Sequence, residues 1–507
     1  MSGPAEAAER RLHPWSWLFV LVQQLRQFVV PLLALLLFGP RRDAGGAWAD
    51  AAPAIAVAVA VLVAASVWQY LTFRYRIGAD RVTVRSGLLH RTVREIPFAR
   101  IHDVSVRQSP LHRLFGVAEL RLESAGGRRP EAEMRVLALA DALALEARVR
   151  QGAAVAAGPA GAAPPATANG GDGRVLLAMP TAEVLRLGLI SNRGMIVAAA
   201  AFGLLWQLLP HRLLADLLAD GSRQALGYAD GLHLDIAAAT AGTLVALLCL
   251  LALLRLLSMA LALARYHGFT LIESGRRLRV ERGLFGRVRS SIARRRIQAW
   301  TLREGMLHRM FGRRSLDIDT AVVERHEDGP RSPDELAPLA TPEACDALVR
   351  HLLPGIAWPP VAWQPAPPAA AWRLMLPDLL LALLAAVTLA WHFGPWGLLA
   401  LAWLPCSAWR ASEAIARLGY SLDGRRVAVR GGWWSRWWRF AELDKLQALQ
   451  LRRSPLDRVC GTATLWLDTA GARANAPALR IRFLPLAHAR ALHAHLAETL
   501  ARRRLRW

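Results

Sequence analysis

The feature that most limits the fold of this chain is a roughly 55-residue pattern that occurs three times among its 507 residues. In each copy, a glycine precedes an aliphatic residue by 14 positions, and that residue precedes a second glycine by 15. These positions are Gly87, Ile101 and Gly116, then Gly283, Ile297 and Gly312, then Gly432, Leu446 and Gly461. A long repeat indicates one structural unit used several times. A single catalytic centre would normally need residues that occur once.

Aliphatic residues two positions apart predict half-buried strands, because alternate side chains share one face of a strand. The pairs are Val82/Val84, Leu278/Val280 and Val427/Val429, and later in each copy Leu120/Leu122, Leu316/Ile318 and Leu465/Leu467. We expect the central aliphatic residue of each copy and its partner at Leu120, Leu316 or Leu465 to be buried. Each copy then ends in a helix. The clearest helix start is Thr341-Pro342-Glu343, with threonine as N-cap and proline at the first helical position.

Apolar stretches precede every copy, and hydrophobic residues make up 54% of the chain. The candidates are Trp17–Gly39, Ala51–Tyr70, Gly194–Pro210, Ile236–Leu254 and Leu374–Trp409, the last long enough for two spans. A membrane-spanning helix needs roughly 20 apolar residues. The stretch with Arg26 begins like an interfacial helix, so the sequence leaves open whether it crosses fully. We therefore predict six transmembrane helices in three pairs.

The repeated units resemble a known bacterial domain. The N-terminal run RLHPWSWLFVLVQQLRQFVVPLLALLLFG, the pattern RVTVRSGLL and the element SPLHRLFG are similar to bacterial membrane proteins of the YdbT type. Those proteins carry three pleckstrin-homology-like domains (bPH2, formerly DUF304). The resemblance implies a barrel-like sheet of about seven strands capped by a C-terminal helix. It brings no known ligand, and the basic signature of phosphoinositide-binding domains is not cleanly present.

The predicted fold class is therefore an α+β membrane protein, with three helix pairs each followed by a small PH-like β-barrel that a C-terminal helix caps. The expected bounds are 17–73, 180–263 and 372–411 for the pairs, and 74–151, 264–353 and 415–503 for the PH-like domains. A flexible linker at 152–173 and a proline-rich linker at 354–371 separate them. Paired spans would place the three domains and both termini on one side. The repeats carry most of the net charge of +24, so the positive-inside rule places that side in the bacterial cytoplasm, at the plasma membrane.

Basic side chains recur at four offsets from the two glycines. The positions are Arg91, Arg287 and Arg436; Arg100, Arg296 and Lys445; Arg107, Arg303 and Arg452; and Arg113, Arg309 and Arg458. One hypothesis is a surface that contacts anionic lipid headgroups or a partner, since juxtamembrane arginines are attracted to an anionic leaflet. The other is a solvated sheet face with ion pairs inside the fold. A structural role would also make the positions recur.

Four tryptophans of the third copy, Trp433, Trp434, Trp437 and Trp438, surround Arg436. Amphipathic rings settle at the membrane–water interface, so these residues are candidate interface anchors. The alternative is a hairpin packed on its own domain. The sequence does not decide between the two.

Motifs for other chemistry are missing from the sequence. We find no P-loop, no G-x-S-x-G, no H-E-x-x-H and no C-x-x-C, and we predict no catalytic residue, metal site or cofactor. Lys445 is the only lysine, so the arginine excess does not indicate nucleic acid. The expected function is a non-enzymatic membrane scaffold that binds the bilayer, anionic headgroups or another membrane protein of the same PH-like group. The alternative is a transporter or export component that uses the six helices.

Overall fold

The computed structural model describes scattered residues of 10–21, most of 57–98, and the ranges 101–124, 132–156, 173–208, 236–320, 334–355, 357–472 and 476–502. The chain divides into two compact units. The first unit holds 1–172, 178–270 and 280–291, and the second holds 173–177, 271–279 and 292–507.

The three repeats have the same order of elements: five strands, a short helix, two more strands and a longer closing helix. In the first repeat the strands are β1 (Arg10–Arg11), β2 (Arg74–Ile77), β3 (Arg81–Ser86), β4 (Thr92–Pro97), β5 (Ile101–Gln108), β6 (Val117–Ser124) and β7 (Ala132–Ala138). In the second they are β8 (Arg174–Ala178), β9 (Thr270–Ser274), β10 (Arg277–Arg282), β11 (Arg287–Ala293), β12 (Ile297–Glu304), β13 (Arg314–Thr320) and β14 (Glu335–Ala340). In the third they are β15 (Gln364–Pro365), β16 (Gly419–Asp423), β17 (Arg426–Gly431), β18 (Arg436–Glu442), β19 (Leu446–Arg452), β20 (Thr462–Thr469) and β21 (Arg480–Pro485).

Two kinds of helix belong to the repeats. A short helix follows the fifth strand of each repeat: α1 (Pro110–Leu114), α6 (Met306–Met310) and α10 (Pro455–Val459). A longer helix closes each repeat: α2 (Leu139–Ala156), α7 (Pro342–Leu352) and α11 (Leu486–Ala501). The predicted N-cap of α7 is confirmed, since the Thr341 hydroxyl accepts a hydrogen bond from the Ala344 amide at 3.2 Å.

The first strand of a repeat lies ahead of its membrane segment in the sequence. β1 pairs with β2 across the whole first apolar region, with Arg10 opposite Tyr75. β15 pairs with β16 in the equivalent register, with Gln364 opposite Tyr420, and β8 is the sheet neighbour of β9. Each repeat is therefore assembled from residues on both sides of an apolar segment in the sequence.

The core lies where the sequence pattern places it. Ile101, Ile297 and Leu446 are at most 5% exposed, and their partners Leu120, Leu316 and Leu465 are fully buried. Residues of the aliphatic pairs two positions apart, such as Val82, are also buried. The alternation of apolar residues therefore predicted the inner face of the sheets correctly.

The predicted closed barrels are wrong, because the sheets are open. The first unit contains one sheet in the order β1-β2-β3-β4 and another that runs β7-β6-β5-β11. The second unit contains the order β14-β13-β12-β18-β17-β16-β15 and a separate sheet β19-β20-β21. The strands β10, β9 and β8 lie side by side and divide their residues between the units. The fifth strand of a repeat thus pairs with the fourth strand of the next repeat and does not close its own barrel.

Two joints between repeats have the same register. At the first joint, β5 pairs antiparallel with β11, and Gln108 lies opposite Arg287. At the second joint, β12 pairs with β18, and Glu304 lies opposite Arg436. Gln108 and Glu304 are equivalent in the repeat, as are Arg287 and Arg436. The same strand pairing therefore joins the first repeat to the second and the second repeat to the third.

The expectation of six transmembrane helices is also wrong for the described part of the chain. It contains two helical stretches long and apolar enough to cross a membrane, Thr240–Tyr266 and Pro368–Arg417. A third candidate would be Thr181–Ile190 with Arg193–Gly203, two helices bent by 54°. Ala60–Thr72 is apolar but shorter. Most of Trp17–Gly39 lies outside the described residues.

The helices of these segments are α3 (Thr181–Ile190), α4 (Arg193–Leu208), α5 (Ile236–Tyr266), α8 (Ala371–Phe393) and α9 (Trp403–Arg417). The stretch Pro368–Arg417 folds back on itself at Gly394, whose φ is 62°. α8 and α9 then pack together, and the Asp378 carboxylate accepts hydrogen bonds from Ser407 and Arg410. Fifty helical residues would extend about 75 Å, whereas a bilayer core is about 30 Å thick, which is why the stretch turns back.

Candidate functional site

The end of a membrane helix holds the hairpin between the third and fourth strands of the second repeat. The Gly283 amide donates to the His267 carbonyl at 2.9 Å, and the Leu284 amide donates to the Ala264 carbonyl at 3.0 Å. Gly283 has a φ of 119°, a conformation that disfavours any side chain. The hairpin is therefore fixed to the C-terminal turn of α5 by backbone contacts.

The third repeat places its hairpin at the end of a membrane helix too. Arg417, the last residue of α9, donates from Nη1 to the Trp433 carbonyl at 3.0 Å. The Trp433 ring lies 5.2 Å from the Trp409 ring of α9 in an edge-to-face arrangement. Trp434 follows and is 55% exposed. The hairpin tip is thus part of a group of aromatic rings beside the helix end.

The short helix of a repeat contacts the start of a membrane segment. Arg373, near the start of α8, forms an ion pair with Asp457 of α10 at 2.6 Å, and both side chains are 7% exposed. Burial disfavours the Asp457 carboxylate, but hydrogen bonds from Arg373, Ser454 and Thr462 outweigh it and hold its pKa well below the ordinary range. In the first repeat, the ring of Phe19 lies 4.2 Å from that of His112, the residue equivalent to Asp457.

We call these hairpin tips and short helices the membrane-proximal elements, because they contact the ends of the membrane segments. One exposed position of the short helix is apolar in every repeat. The exposed large side chains include Leu114, Met310 and Val459 at equivalent positions of the short helices, and Phe285 and Trp434 on the hairpins. Exposed apolar side chains beside membrane helices are suited to the interfacial layer of a bilayer.

Guanidinium groups surround the end of α5. The Arg193, Arg265 and Arg282 side chains lie 5.1, 5.5 and 5.4 Å from the centre of the Tyr266 ring. Nearer the apolar part of the helix, Arg255 donates from Nη1 to the carbonyls of Leu189 and Ser191, so its charge is satisfied by backbone. Three guanidinium groups therefore lie around one buried ring, just beyond an apolar span, and form a basic cluster at the end of α5.

A second basic cluster surrounds the hairpin of the third repeat. Arg309 donates from Nη2 to the Trp434 carbonyl at 3.2 Å, next to the Arg417 contact with Trp433. Burial lowers the pKa of Arg436, and the neighbouring positive charges of Arg417 and Arg309 lower it further, while the Glu304 carboxylate opposes them in part. Glu304 also accepts a hydrogen bond from Arg314 at 2.9 Å, so this cluster holds one carboxylate among several guanidinium groups.

The structure separates the four sets of predicted basic residues. Arg91 and Arg100 lie outside the described residues. Arg287 and Arg436 lie on the strands of the two joints, and Arg113 donates to the Leu284 carbonyl at 2.5 Å, as Arg309 does to Trp434. Arg458 is exposed, and its side chain makes no hydrogen bond or ion pair with the described residues. Four of these residues therefore connect successive repeats: Arg287, Arg436, Arg113 and Arg309.

The other two sets lie mainly on their own sheets. Arg107 lies opposite Glu119 on the neighbouring strand, Arg303 lies 3.3 Å from Asp317, and Arg452 lies over the Trp466 ring at 4.6 Å. Arg296 is half-buried at the end of a 3-10 turn, and Lys445 donates from Nζ to the Arg295 carbonyl at 2.8 Å. No anion-facing role for these side chains follows from their positions, and their headgroup contacts stay a prediction.

The four candidate tryptophans fall into two pairs. Trp437 and Trp438 lie on β18 opposite Arg303 and Leu302, and the Arg314 guanidinium covers the Trp438 ring at 4.7 Å. Trp433 and Trp434 form the hairpin tip beside α9. Only the tip pair is placed to contact a bilayer, and its anchoring role stays a prediction.

These features define a membrane protein with three PH-like repeats. A family model described as the bacterial PH domain matches residues 21–153, 225–353 and 371–500. The chain belongs to this family. It is similar to the UPF0699 transmembrane protein YdbT of Bacillus subtilis (strain 168), with 23% identity over 443 residues, which cover 83% of this chain and 84% of that protein. No solved structure matches the chain.

Sequence reasoning missed the basic cluster at Tyr266 and the Arg373–Asp457 ion pair. Arg193, Arg265 and Arg373 do flank apolar stretches, which is a usable signal for residues at a membrane boundary. Asp457 carries another signal, because it stands where the other two repeats have His112 and His308. A departure from a repeat marks a local partner that the other repeats lack.

Proposed function

We propose that this protein is a non-enzymatic scaffold of the bacterial plasma membrane that presents PH-like repeats at the cytoplasmic membrane surface. The observation that carries the proposal is the direct bonding of hairpin tips and short helices to the ends of membrane segments. These contacts fix one end of a repeat at the bilayer surface. The opposite ends of the strands are left to contact soluble partners.

We infer that anionic lipid headgroups bind at the basic clusters around Tyr266 and around the Trp433–Trp434 hairpin. Guanidinium groups recognise phosphate oxygens with charge-assisted hydrogen bonds. Each cluster adjoins exposed apolar side chains, so a headgroup and its acyl chain could be contacted together. The polar groups of the described spans favour a structural role over a transport path, since Arg255 binds backbone carbonyls and Asp378 binds Ser407 and Arg410.

Nitroxide depth measurements test the contact with the bilayer. A spin label at Trp434→Cys in full-length protein in proteoliposomes should be more accessible to oxygen than to a polar nickel reagent. The control label at Asp423→Cys lies at the end of β16, opposite Arg426, and is separated from the hairpin by the six residues of β17, about 20 Å. It should show the accessibility of a site in water. Equal, water-like accessibility at both positions would contradict the proposal.

Lipid selectivity tests the headgroup inference separately. Protein purified in mild detergent and transferred to nanodiscs of mixed phosphatidylglycerol and phosphatidylcholine should retain the anionic lipid preferentially, as measured by native mass spectrometry. Arg265→Gln should reduce that preference, whereas Arg490→Gln, an exposed position on α11, should not. No preference in the wild type would restrict the scaffold to protein partners.

Reporter fusions test the orientation. The pairing of β1 with β2 and of β15 with β16 supports a topology in which both ends of a membrane segment lie on one side. Fusions after Gly173 and after Trp507 should therefore both report the cytoplasm, the side that the positive-inside rule favours. A periplasmic signal from either fusion would overturn the proposed topology.

A further inference from the structure

Among the described residues, one copy of each half of the joint has no further strand paired at its outer edge. Within the described residues, β4 ends the sheet β1-β2-β3-β4, and β19 ends the sheet β19-β20-β21. Their equivalents in the other repeats are all occupied, because β11 and β18 pair with β5 and β12. A sheet edge presents a row of backbone donors and acceptors that another strand can pair with. The fourth strand of the first repeat and the fifth strand of the third repeat are therefore the same two kinds of strand that pair at the internal joints.

The charges of the two edges match those of the second joint. There, Arg439 of the third repeat forms a fully buried ion pair with Asp319 of the second, and Arg439 also donates to the Thr301 hydroxyl at 3.2 Å. Arg94 stands at the position of Arg439, seven residues after the hairpin glycine, and Asp468 stands at the position of Asp319. Both Arg94 and Asp468 are exposed.

Side chains along the two strands also match. In the register of the existing joints, Arg94 would lie opposite Gln450, and Val93 would lie opposite Leu451, as Trp438 lies opposite Leu302. Val93 is 55% exposed in the chain. Arg458, the equivalent of Arg113 and Arg309, is exposed and positioned to donate to the hairpin of a following repeat, as they do.

We propose that β19 of one chain pairs with β4 of a second copy in the register of the two internal joints, with Asp468 bound to Arg94 of the neighbour. Such a contact is head-to-tail, so it generates a ring or an open row of chains and not a two-fold dimer. A second copy is the partner because this chain itself supplies both edges and both charges. Confinement of all copies to one membrane raises their effective concentration at the edges.

Disulfide cross-linking in native membranes tests the register. In a background without the four native cysteines, Val93→Cys is placed in one tagged copy and Leu451→Cys in a copy with a different tag. Directly opposite residues of paired strands have Cβ atoms about 4.5–5.5 Å apart, close enough for a disulfide to form with small adjustments. Mild oxidation should give a covalent dimer that carries both tags. The control pair of Val93→Cys with Gln447→Cys is about 13 Å out of register, at four residues along the strand, and should give none.

Several results would overturn the proposal. They are the absence of the mixed dimer at native expression, a dimer from Val93→Cys alone, a disulfide only within one chain when both cysteines are combined, and cross-linking of Leu451→Cys to a different protein, as identified by mass spectrometry. Membrane insertion and the protease pattern of each variant show that it folds like the parent, so a negative result counts against the joint.

Charge reversal tests the ion pair. Asp468→Arg and Arg94→Asp should each reduce the yield of the mixed dimer roughly tenfold or more, since a like-charge contact at a desolvated position is strongly unfavourable. Both changes in every copy restore opposite charges and should restore the yield. Asp423→Arg, an equal change of charge at the exposed end of β16, should leave the yield unchanged. Failure of the combined variant to recover would remove this ion pair from the proposed joint.

Discussion

The two joints inside the chain share a backbone register but differ in their side chains. The second joint contains the buried pair of Arg439 and Asp319 together with the stacked rings of Trp300 and Phe440. The first joint has Ser290 at the position of Arg439. The backbone register of a joint therefore does not depend on this ion pair. We expect the ion pair to favour one neighbouring repeat over another, since a buried arginine without its carboxylate is strongly disfavoured.

Core substitutions test whether each joint depends only on its own two repeats. Leu120→Asp and Leu465→Asp place an unpaired charge in a fully buried site, which costs about 4 kcal/mol or more. Leu120→Asp should unfold the first repeat and expose β11, and Leu465→Asp should unfold the third and expose β12. Hydrogen exchange of those strands in mild detergent measures both effects. Loss of protection throughout the chain from either substitution would indicate one shared core.

Removal of one ionic partner tests the side-chain difference between the joints. Asp319→Ala leaves Arg439 buried without its carboxylate and should destabilise the second joint by about 3–5 kcal/mol. The matched control is Asp468→Ala at the equivalent exposed position, which should change stability by less than about 0.5 kcal/mol. The free energy of local opening of β12 and β18 from native-state hydrogen exchange is the measurement. Equal effects of the two substitutions would remove the ion pair as the source of the difference.

The feature that both joints share is tested by the arginine of the short helix. Arg309→Gln removes the hydrogen bond to the Trp434 carbonyl and should cost about 0.5–1.5 kcal/mol at the second joint. Arg113→Gln should have a similar effect at the first joint. Arg458→Gln in monomeric, detergent-solubilised protein should have none, because the Arg458 side chain is exposed and makes no hydrogen bond with the described residues. A loss at Arg458 as large as at Arg309 would indicate a role within the repeat.

Acidification should destabilise the short helix of the second repeat but not the short helix of the third. Burial lowers the pKa of His308, and Glu304 opposes this only in part, so the fold favours the neutral ring. A lowered pKa in the folded state means that the stability contributed is present above the unfolded value of about 6.5 and is lost as the pH falls below it. Asp457 at the equivalent position has a pKa held below its ordinary range, so it stays ionised between pH 7 and 5.

The measurement is hydrogen exchange of 305–312 and 454–461 at pH 7 and pH 5, corrected for intrinsic rates. Protection of the second-repeat helix should fall at pH 5, and protection of the third-repeat helix should not. His308→Asn should remove the pH dependence. A pH dependence that persists in this variant would assign the effect to another group.

The sequence predicted the inner face of the repeats because burial is periodic. Every second side chain of a strand points inward, so buried apolar residues alternate along the sequence. The constant distance from the glycines then shows which residues of the three copies are equivalent, as for Ile297 and Leu316. The first strand of each repeat left no such pattern. Arg10–Arg11 and Gln364–Pro365 are two residues long, without alternation, and stand ahead of a membrane segment.

The joints were not predictable because a recurring arginine has the same sequence signature in two roles. Every copy has an arginine at the position of Arg309 and at the position of Arg452. Arg309 donates to the next repeat, whereas Arg452 covers a ring of its own sheet. The barrel prediction failed for a related reason. Strand count and alternation do not specify which edge a strand pairs with, and here the free edge of β5 is taken by β11.

The position of the first strand has a consequence for biogenesis. β15 leaves the ribosome before the apolar helical stretch Pro368–Arg417, and it can pair with β16 only once that stretch has folded back to the same side. Completion of this sheet therefore comes after the stretch has turned back. A chain whose stretch fails to return keeps an unpaired edge on β16, and an unpaired edge is a site for wrong strand pairing.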